Sequence, residues 1–477
     1  MALDILLVNP NRMKPAVAPL ALEYLADALE RAGLTFALCD LCFAPDPQTA
    51  LAVALEEHSP RLIAMTLRNS DDCYCATHHF FVPYYASLVE TIRSHSEAPV
   101  VLGGAGYSTA PVGMLRRTGT DYGLVGDGEE ALVELTRAVS AQAPVEGLSG
   151  LVWSEGGQWR QNPPAWREFG QEPLTRSHCD TGRYFREGGQ AGLETKRGCP
   201  GGCVYCADPL SKGSRLRLRP VEAIVGEVRN LLAQGADALH LCDSEFNLSY
   251  EHARAVCEGL IAGGLGEQVR WWGYLAPSPF DAELLDLMIR SGCAGIDFGA
   301  DSGDPQMLQR LGRQYTVEDL RETAQLCRSR HLPFMYDLLL GGPGETLQSV
   351  KKTVDLMKEI RPTCVGVALG MRLYRGSPAA EAVVGDLDGC RTHLLGQVAD
   401  NSDLTLPVFY LQGEIASGGV RLLRDLIGDD QRFFFGWPDE AQADYNYDDN
   451  PVLVEAIAAG ERGAYWDMLR RRLGLDA

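Results

Sequence analysis

Short apolar runs alternate with amphipathic stretches along most of this chain. Within residues 1–145, strands are predicted at Ile5–Asn9, Phe36–Leu41, Leu62–Leu67, Val100–Gly103 and Tyr122–Val125. Helical patterns fill the gaps at Pro19–Ala32, Thr49–Glu57, Tyr84–Ser94 and Glu129–Val139. Strand–helix alternation with short connections predicts a parallel, doubly wound α/β sheet. Five strands suit the flavodoxin-like order, whose ligands bind beyond the strand C-termini. Residues 146–190 predict a linker with a β-hairpin, Leu148–Trp153 and Gln158–Arg160 around a glycine turn, that bridges two domains.

Alternation resumes over residues 191–384. Strands fit Gly192–Lys196, Ala238–Cys242, Arg270–Tyr274, Gly295–Gly299, Phe334–Leu340 and Cys364–Leu369. Helices fit Pro220–Gln234, Glu251–Ala262, Ala282–Ser291, Thr316–Ser329 and Leu347–Ile360. Parallel barrels place their sites on the loops at the strand C-termini. Residues 385–477 predict a small, mainly helical cap or substrate domain. It holds two aromatic segments, Phe433–Pro438 and Asp444–Asn450, and a closing helix, Val452–Arg472.

The formal net charge of −21 opposes general phosphate-backbone binding, so nucleic acid is a poor first partner. The start, MALDILLVNPN, lacks a basic n-region and reads as a strand. No apolar run approaches a membrane-spanning length. Most cysteines lie singly in apolar runs, as in a reducing compartment, so a cytoplasmic location is expected.

One segment concentrates them. Cys199, Cys203 and Cys206 form CPGGCVYC directly after the first strand of the second run. Three thiolates on a glycine-rich loop can hold three irons of a [4Fe-4S] cluster and leave the fourth open. Zinc is the alternative, but it wants a fourth ligand, and the next candidates, His240 and Cys242, lie far along the chain. C-x3-C-x2-C with Tyr205 before the last cysteine resembles the radical S-adenosylmethionine (SAM) superfamily. That resemblance implies a partial (β/α)6 barrel and a SAM molecule chelated by the open iron. Gly341-Gly342-Pro343-Gly344-Glu345 is similar to the family's G-x-P-G-E segment beside SAM. Gly299-Ala300-Asp301-Ser302-Gly303 resembles G-x-E-S-G, which implies SAM contacts from Asp301 and Ser302. Asp243-Ser244-Glu245-Phe246 resembles D-D-x-F, with Glu245 either accepting ribose hydroxyls or serving as a cap or ion-pair partner. Arg215, Arg217 and Arg219 form either a solvated edge or a contact to SAM or substrate. Tyr274, Arg372 and Tyr374 are further candidates for substrate contact.

The first domain carries two glycine loops, Gly103-Gly104-Ala105-Gly106 after its fourth strand and Gly126-Asp127-Gly128-Glu129 after its fifth. Together they resemble the cobalamin-binding domain that precedes many radical SAM domains, which implies corrin contacts at Gly103, Gly104, Gly126, Gly128 and Glu129. The D-x-H-x-x-G segment that supplies a cobalt-ligating histidine is absent; the loop reads Asn9-Pro10-Asn11-Arg12-Met13-Lys14. Arg68 and Asn69, after the third strand, would then face the lower side of the ring. A guanidinium has no lone pair for a metal. A solvated arginine is the alternative for Arg68, and His78 and His79 are rival ligands or surface histidines.

The resemblance covers residues 1–380 and implies a cobalamin-dependent radical SAM enzyme, a C-methyltransferase. Its cofactors would be a [4Fe-4S] cluster, SAM and cobalamin. Its partners would be a small-molecule or peptide-derived substrate and an electron donor such as flavodoxin or ferredoxin. The implied chemistry spends one SAM as methyl source and a second as a source of the 5′-deoxyadenosyl radical. Polar transfer to a nucleophilic carbon such as an indole needs no such radical, and Arg68 beneath the ring would favour it. A cyclase or rearrangement enzyme, and a non-catalytic cobalamin sensor, complete the alternatives.

Overall fold

The fold was obtained as a computed structural model that describes residues 3–436 and 449–475. Parallel strands β1 (Ile5–Asn9), β2 (Phe36–Asp40), β3 (Leu62–Thr66), β4 (Val100–Gly103) and β5 (Tyr122–Leu124) run in the order β2-β1-β3-β4-β5. This is the flavodoxin-like order. Ile5 to Val8 are fully buried, as expected of a central strand covered by helices on both faces. The helices fall at Leu20–Arg31, Pro47–His58, Val82–His95 and Glu129–Ala141, with two shorter ones, Ala105–Ser108 and Pro111–Thr118, after β4.

The hairpin β6 (Leu151–Glu155) and β7 (Gln158–Gln161) is not a free bridge. It pairs antiparallel with β5 and extends the first sheet. Leu151 and Val152 are fully buried there, so the pairing covers an apolar sheet edge.

The second sheet begins with β8 (Ala191–Leu193). The strand predicted over Gly192–Lys196 splits, because the Asp243 carboxylate takes the Thr195 N–H at 2.8 Å and the Lys196 N–H at 3.3 Å. Those donors leave the ladder, and β9 (Lys196–Arg197) pairs instead with β10 (Arg217–Leu218). Next come β11 (Ala238–Leu241), β12 (Arg270–Leu275), β13 (Cys293–Asp301), β14 (Phe334–Leu340) and β15 (Cys364–Leu369). A small antiparallel sheet follows, with β16 (Met371–Arg372), β17 (Leu394–Gly396) and β18 (Val408–Tyr410) in the order β16-β18-β17. With β19 (Phe433–Phe434) at one edge, the open barrel reads β19-β15-β14-β13-β12-β11-β8, with every neighbour parallel.

Its last strand, β19 (Phe433–Phe434), corrects the sequence reading of this aromatic run as a cap. Phe433 and Phe434 pair with Val365 and Gly366, and are 5% and 3% exposed. Trp437, Pro438 and Asp444–Asp448 lie outside the described residues. The predicted closing helix is two, Pro451–Ala458 and Tyr465–Arg472. Gly460 (φ 95°) and Gly463 (φ 125°) break it, and a Cβ on Gly463 would lie 2.6 Å from the Trp272 ring at the foot of the barrel.

The strand C-termini of both sheets meet. Asp127, on the loop after β5, accepts from Arg197 at 2.9 Å and from Arg217, while its Oδ2 also takes the Arg167 N–H at 2.9 Å. Glu129 accepts from Arg197 at 2.9 Å. On the other side, Arg372 donates to Asp71 at 3.0 and 3.2 Å. Removing one partner of a buried ion pair typically costs about 3–5 kcal/mol. Asp127→Ala strands the 1%-exposed Arg217, and is expected to lower stability by about that amount, read as a fall in the urea midpoint.

Candidate active site

The cysteine loop hangs between β9 and β10 at the barrel mouth. It is held by Cys199 N–H to Gly213 O at 3.0 Å and Val204 N–H to Leu311 O at 3.0 Å. A Cβ on Gly201 would lie 3.2 Å from Cys199 Sγ and 3.9 Å from Cys203 Sγ, so both sulfurs turn toward a residue with no side chain. Cys206 Sγ accepts the Asp208 N–H at 3.4 Å. Four ligands around one zinc at about 2.3 Å would hold sulfurs about 3.8 Å apart. Among the described residues, the His, Cys or carboxylate trio with all donors within 4.8 Å of one another is Asp27, Glu30 and His178, not the three cysteines. The three sulfurs as placed do not all converge within that distance. Burial pushes the Cys203 thiol up to about 11 and the Cys206 thiol up to about 12, so metal coordination has to hold them as thiolates.

Beside the loop lies a connected polar cluster. Asp301 Oδ2 accepts from the Tyr205 hydroxyl at 2.6 Å and from Arg313 Nε at 2.6 Å. Arg313 also donates to Glu245 at 2.9 Å. Asp301 takes a left-handed φ of 54° at a register shift in β13, which turns its carboxylate to the mouth. Burial raises the Glu245 carboxyl, and Arg313 opposes that rise. Arg313 was not foreseen; nothing in LGRQY marks it, and only the fold brings it to Asp301.

Ser302 does not reach this polar cluster. It is fully buried, and its hydroxyl meets Thr353 Oγ1 at 3.1 Å and takes the Asp304 N–H at 3.1 Å. The glycines after β14 also answer to the protein rather than to open space. A Cβ on Gly341 would lie 2.4 Å from Leu411, on Gly342 3.1 Å from Met371, and on Gly344 1.9 Å from Arg310. Pro343 sits within this packed turn.

On the facing domain, a cavity of about 210 Å³ lies between the ends of the two sheets. Gly103, Gly104, Gly126 and Gly128 line it from one side, and Arg197 and Lys212 from the other. Gly104 (φ 98°) and Gly126 (φ 86°) are required by Leu67 O at 2.6 Å and by Trp166 at 2.8 Å from their would-be Cβ atoms. Gly103 meets only Leu124 O at 3.8 Å, so its missing side chain leaves open space. A flat ligand fits there against bare backbone. Glu129 is spent on Arg197. Arg68, half-buried, donates to Met13 Sδ at 3.3 Å, and Asn69 accepts from it at 3.5 Å. Its charge reaches the barrel: burial, then Arg68, push His240 down to about 4.

A model of the B12 binding domain matches residues 11–136, and a model of the radical SAM superfamily matches residues 193–357. The chain is 29% identical to tryptophan 2-C-methyltransferase of Streptomyces laurentii, over 98% of this chain and 96% of that one. The radical SAM methyltransferase TsrM of Kitasatospora setae, solved with tryptophan and a SAM analogue (aza-SAM), superposes with a TM-score of 0.92. It is 31% identical and covered over 98% of both chains. This chain belongs to the cobalamin-dependent radical SAM methyltransferases. The same Kitasatospora protein, solved with cobalamin and a [4Fe-4S] cluster, matches with a TM-score of 0.90 at 30% identity, over 100% of this chain and 98% of that one.

The methyltransferase uses cobalamin, a [4Fe-4S] cluster and SAM to methylate carbon in a small-molecule substrate. This sets aside the sensor and rearrangement readings. Several sequence candidates are engaged by partners within the protein. Arg217 and Arg219 are buried, not a solvated edge: Arg217 holds Asp127, and Arg219 holds Glu227 at 2.6 Å and Glu194 O at 2.7 Å. Arg215 pairs with Glu168 at the surface. Arg372 is buried against Asp71, and Tyr374 meets Cys73 Sγ at 2.9 Å. His78 and His79 pack on Phe409 and Phe81.

Glu345, at the end of the G-G-P-G-E turn, is 1% exposed, and burial pushes its carboxyl up to about 7 from an ordinary 4.5. The folded state therefore keeps a proton that the unfolded chain releases. The stability this contributes is full below about pH 4.5 and is lost as pH rises through about 7. Glu345→Gln is expected to flatten that part of the stability–pH curve, measured by urea unfolding at several pH values.

Proposed function

We propose that this enzyme methylates C2 of the indole of tryptophan by polar transfer. Full-length superposition on a protein solved with tryptophan carries the reading. When bound, cobalamin would supply a methyl group replenished from SAM; the indole π electrons would form the new bond at C2, and the C2 proton would leave to restore the aromatic ring. An indole carbon is itself a nucleophile, so the substrate needs no prior hydrogen abstraction. Cys199, Cys203 and Cys206 would hold the cluster. Tyr205, Asp301, Arg313 and Glu245 would form the polar wall for SAM. The backbone at Gly103 and Gly104 would carry cobalamin, with Arg68 and Asn69 toward its lower side. Arg68 offers no lone pair for a metal, so it would contribute positive charge on that side.

An external one-electron donor such as flavodoxin or ferredoxin would keep the cofactors reduced. The charge of −21 supports a small substrate over nucleic acid, and the free cysteines support a cytoplasmic setting. Among the described residues no helix is long and apolar enough to cross a membrane.

Two measurements test this. Cys203→Ala, reconstituted anaerobically with iron and sulfide, is expected to lose the cluster absorbance that the unchanged enzyme acquires; an intact cluster would remove Cys203 from the ligand set. The loaded enzyme with SAM and tryptophan is expected to yield methyltryptophan with far less than one 5′-deoxyadenosine per methyl. One-to-one 5′-deoxyadenosine would overturn polar transfer, and unmodified tryptophan would overturn the substrate.

A further inference from the structure

The segment between the two domains passes through the cleft where they meet, and one of its residues is wedged there. Trp166 is partly buried. A Cβ on Gly126 would lie 2.8 Å from its ring, and a Cβ on Gly213 would lie 2.9 Å from it. Both glycines have left-handed φ, 86° and 79°, so bare backbone of two separate loops closes on one indole. Gly126 opens the Gly126–Glu129 loop of the first domain. Gly213 belongs to the cluster loop, and its carbonyl accepts the Cys199 N–H at 3.0 Å. A single ring therefore lies between a cavity-lining loop of the first domain and the residue that holds a cluster cysteine.

The neck of the cluster loop is tied to the same pieces. Arg197 and Arg217 stand directly opposite each other in the antiparallel pair β9 and β10. Like charges in that position destabilise a strand pair, and each of these strands has only two residues. Asp127 supplies the opposing charge. Its Oδ1 accepts from Arg197 at 2.9 Å, and its Oδ2 accepts from Arg217. The residue after Trp166 joins them: Asp127 takes the Arg167 N–H at 2.9 Å, and the Arg167 carbonyl accepts from Arg217 at 2.9 Å. The Arg217 guanidinium also lies 5.4 Å from the centre of a Trp166 ring.

The glycine-lined cavity touches both sides of this joint. Gly126, Asp127 and Gly128 line it from the first domain, and Ser211 and Lys212 line it from the cluster loop. An occupant that fixes the Gly126–Glu129 loop therefore fixes one wall of the Trp166 wedge and the carboxylate that closes the neck.

We propose that Trp166 is a positioning residue that couples the two cofactor sites. Cobalamin seated against the Gly126–Glu129 loop steadies Trp166, Trp166 steadies Gly213, and Gly213 holds Cys199 in place for the cluster. The coupling rests on the assignment of cobalamin to the glycine-lined cavity and of the cluster to the three cysteines. Such coupling is reciprocal, so the cluster must tighten cobalamin binding by the factor that cobalamin tightens the cluster.

Hydroxocobalamin affinity, titrated anaerobically by absorbance with and without the reconstituted cluster, tests this. The unchanged enzyme is expected to bind about 5- to 150-fold more tightly with the cluster in place. Trp166→Ala is expected to bring that ratio close to one while still acquiring cluster absorbance and binding cobalamin. Trp166→Phe, with a smaller ring in the wedge, is expected to fall between the two. A merely structural role would weaken cobalamin binding equally with and without the cluster and leave the ratio as it was. That result in Trp166→Ala, or in Trp166→Phe where the alanine variant does not load, overturns the role of Trp166. A ratio of one in the unchanged enzyme overturns the coupling and leaves both cofactor assignments standing. An unchanged enzyme that does not bind hydroxocobalamin overturns the cavity assignment, and the coupling with it.

Discussion

Two carboxylates and two guanidiniums hold the two catalytic halves together. Asp127 and Glu129 leave the first sheet at its C-terminal edge, and Arg197 and Arg217 leave the barrel at its own. Arg197 stands two residues before Cys199. The segment that docks the domains is therefore the one that carries the cluster loop. Any shift of the first sheet is passed to the thiols through a few bonds. Proximity of two cofactors to one substrate carbon is what this class of reaction demands, and a charge-assisted joint supplies geometry that apolar packing alone would leave freer to slide.

The strands of the first sheet were legible because a parallel sheet buried on both faces writes itself as continuous apolar runs, as in the ILLV of Ile5–Asn9. The cysteine loop was legible because its residues are adjacent in sequence. What escaped is long-range. The Arg217–Asp127 pair spans 90 residues, and the Arg372–Asp71 pair spans 301. Local patterning offers no sign of either, so these arginines looked free for ligands. The loop glycines were read as making room for SAM or corrin. At Gly104, Gly126, Gly341 and Gly344 the crowding atom belongs to the protein itself.

The polar cluster shows how one residue can be read correctly in place and incompletely in role. Asp301 stands at the mouth, as its motif implied. Its carboxylate is already engaged by Tyr205 and Arg313, and Arg313 links it to Glu245. This group is thus a preformed wall of fixed charge beside the cluster loop, and fixed dipoles need little reorganisation when a charged cofactor arrives. Ser302, its neighbour in sequence, has turned inward to hold the strand end.

The pairing of Phe433 and Phe434 with β15 has a further bearing on how the molecule is made. The strand that borders β15 at the edge of the barrel is encoded some sixty residues after it, beyond the small antiparallel sheet. During synthesis that wall stays missing until the chain has emerged past Phe434. Iron, sulfide and corrin would therefore meet a finished vessel only late, and a shortened product ending before Phe433 would have a gap in its side, not merely a lost lid.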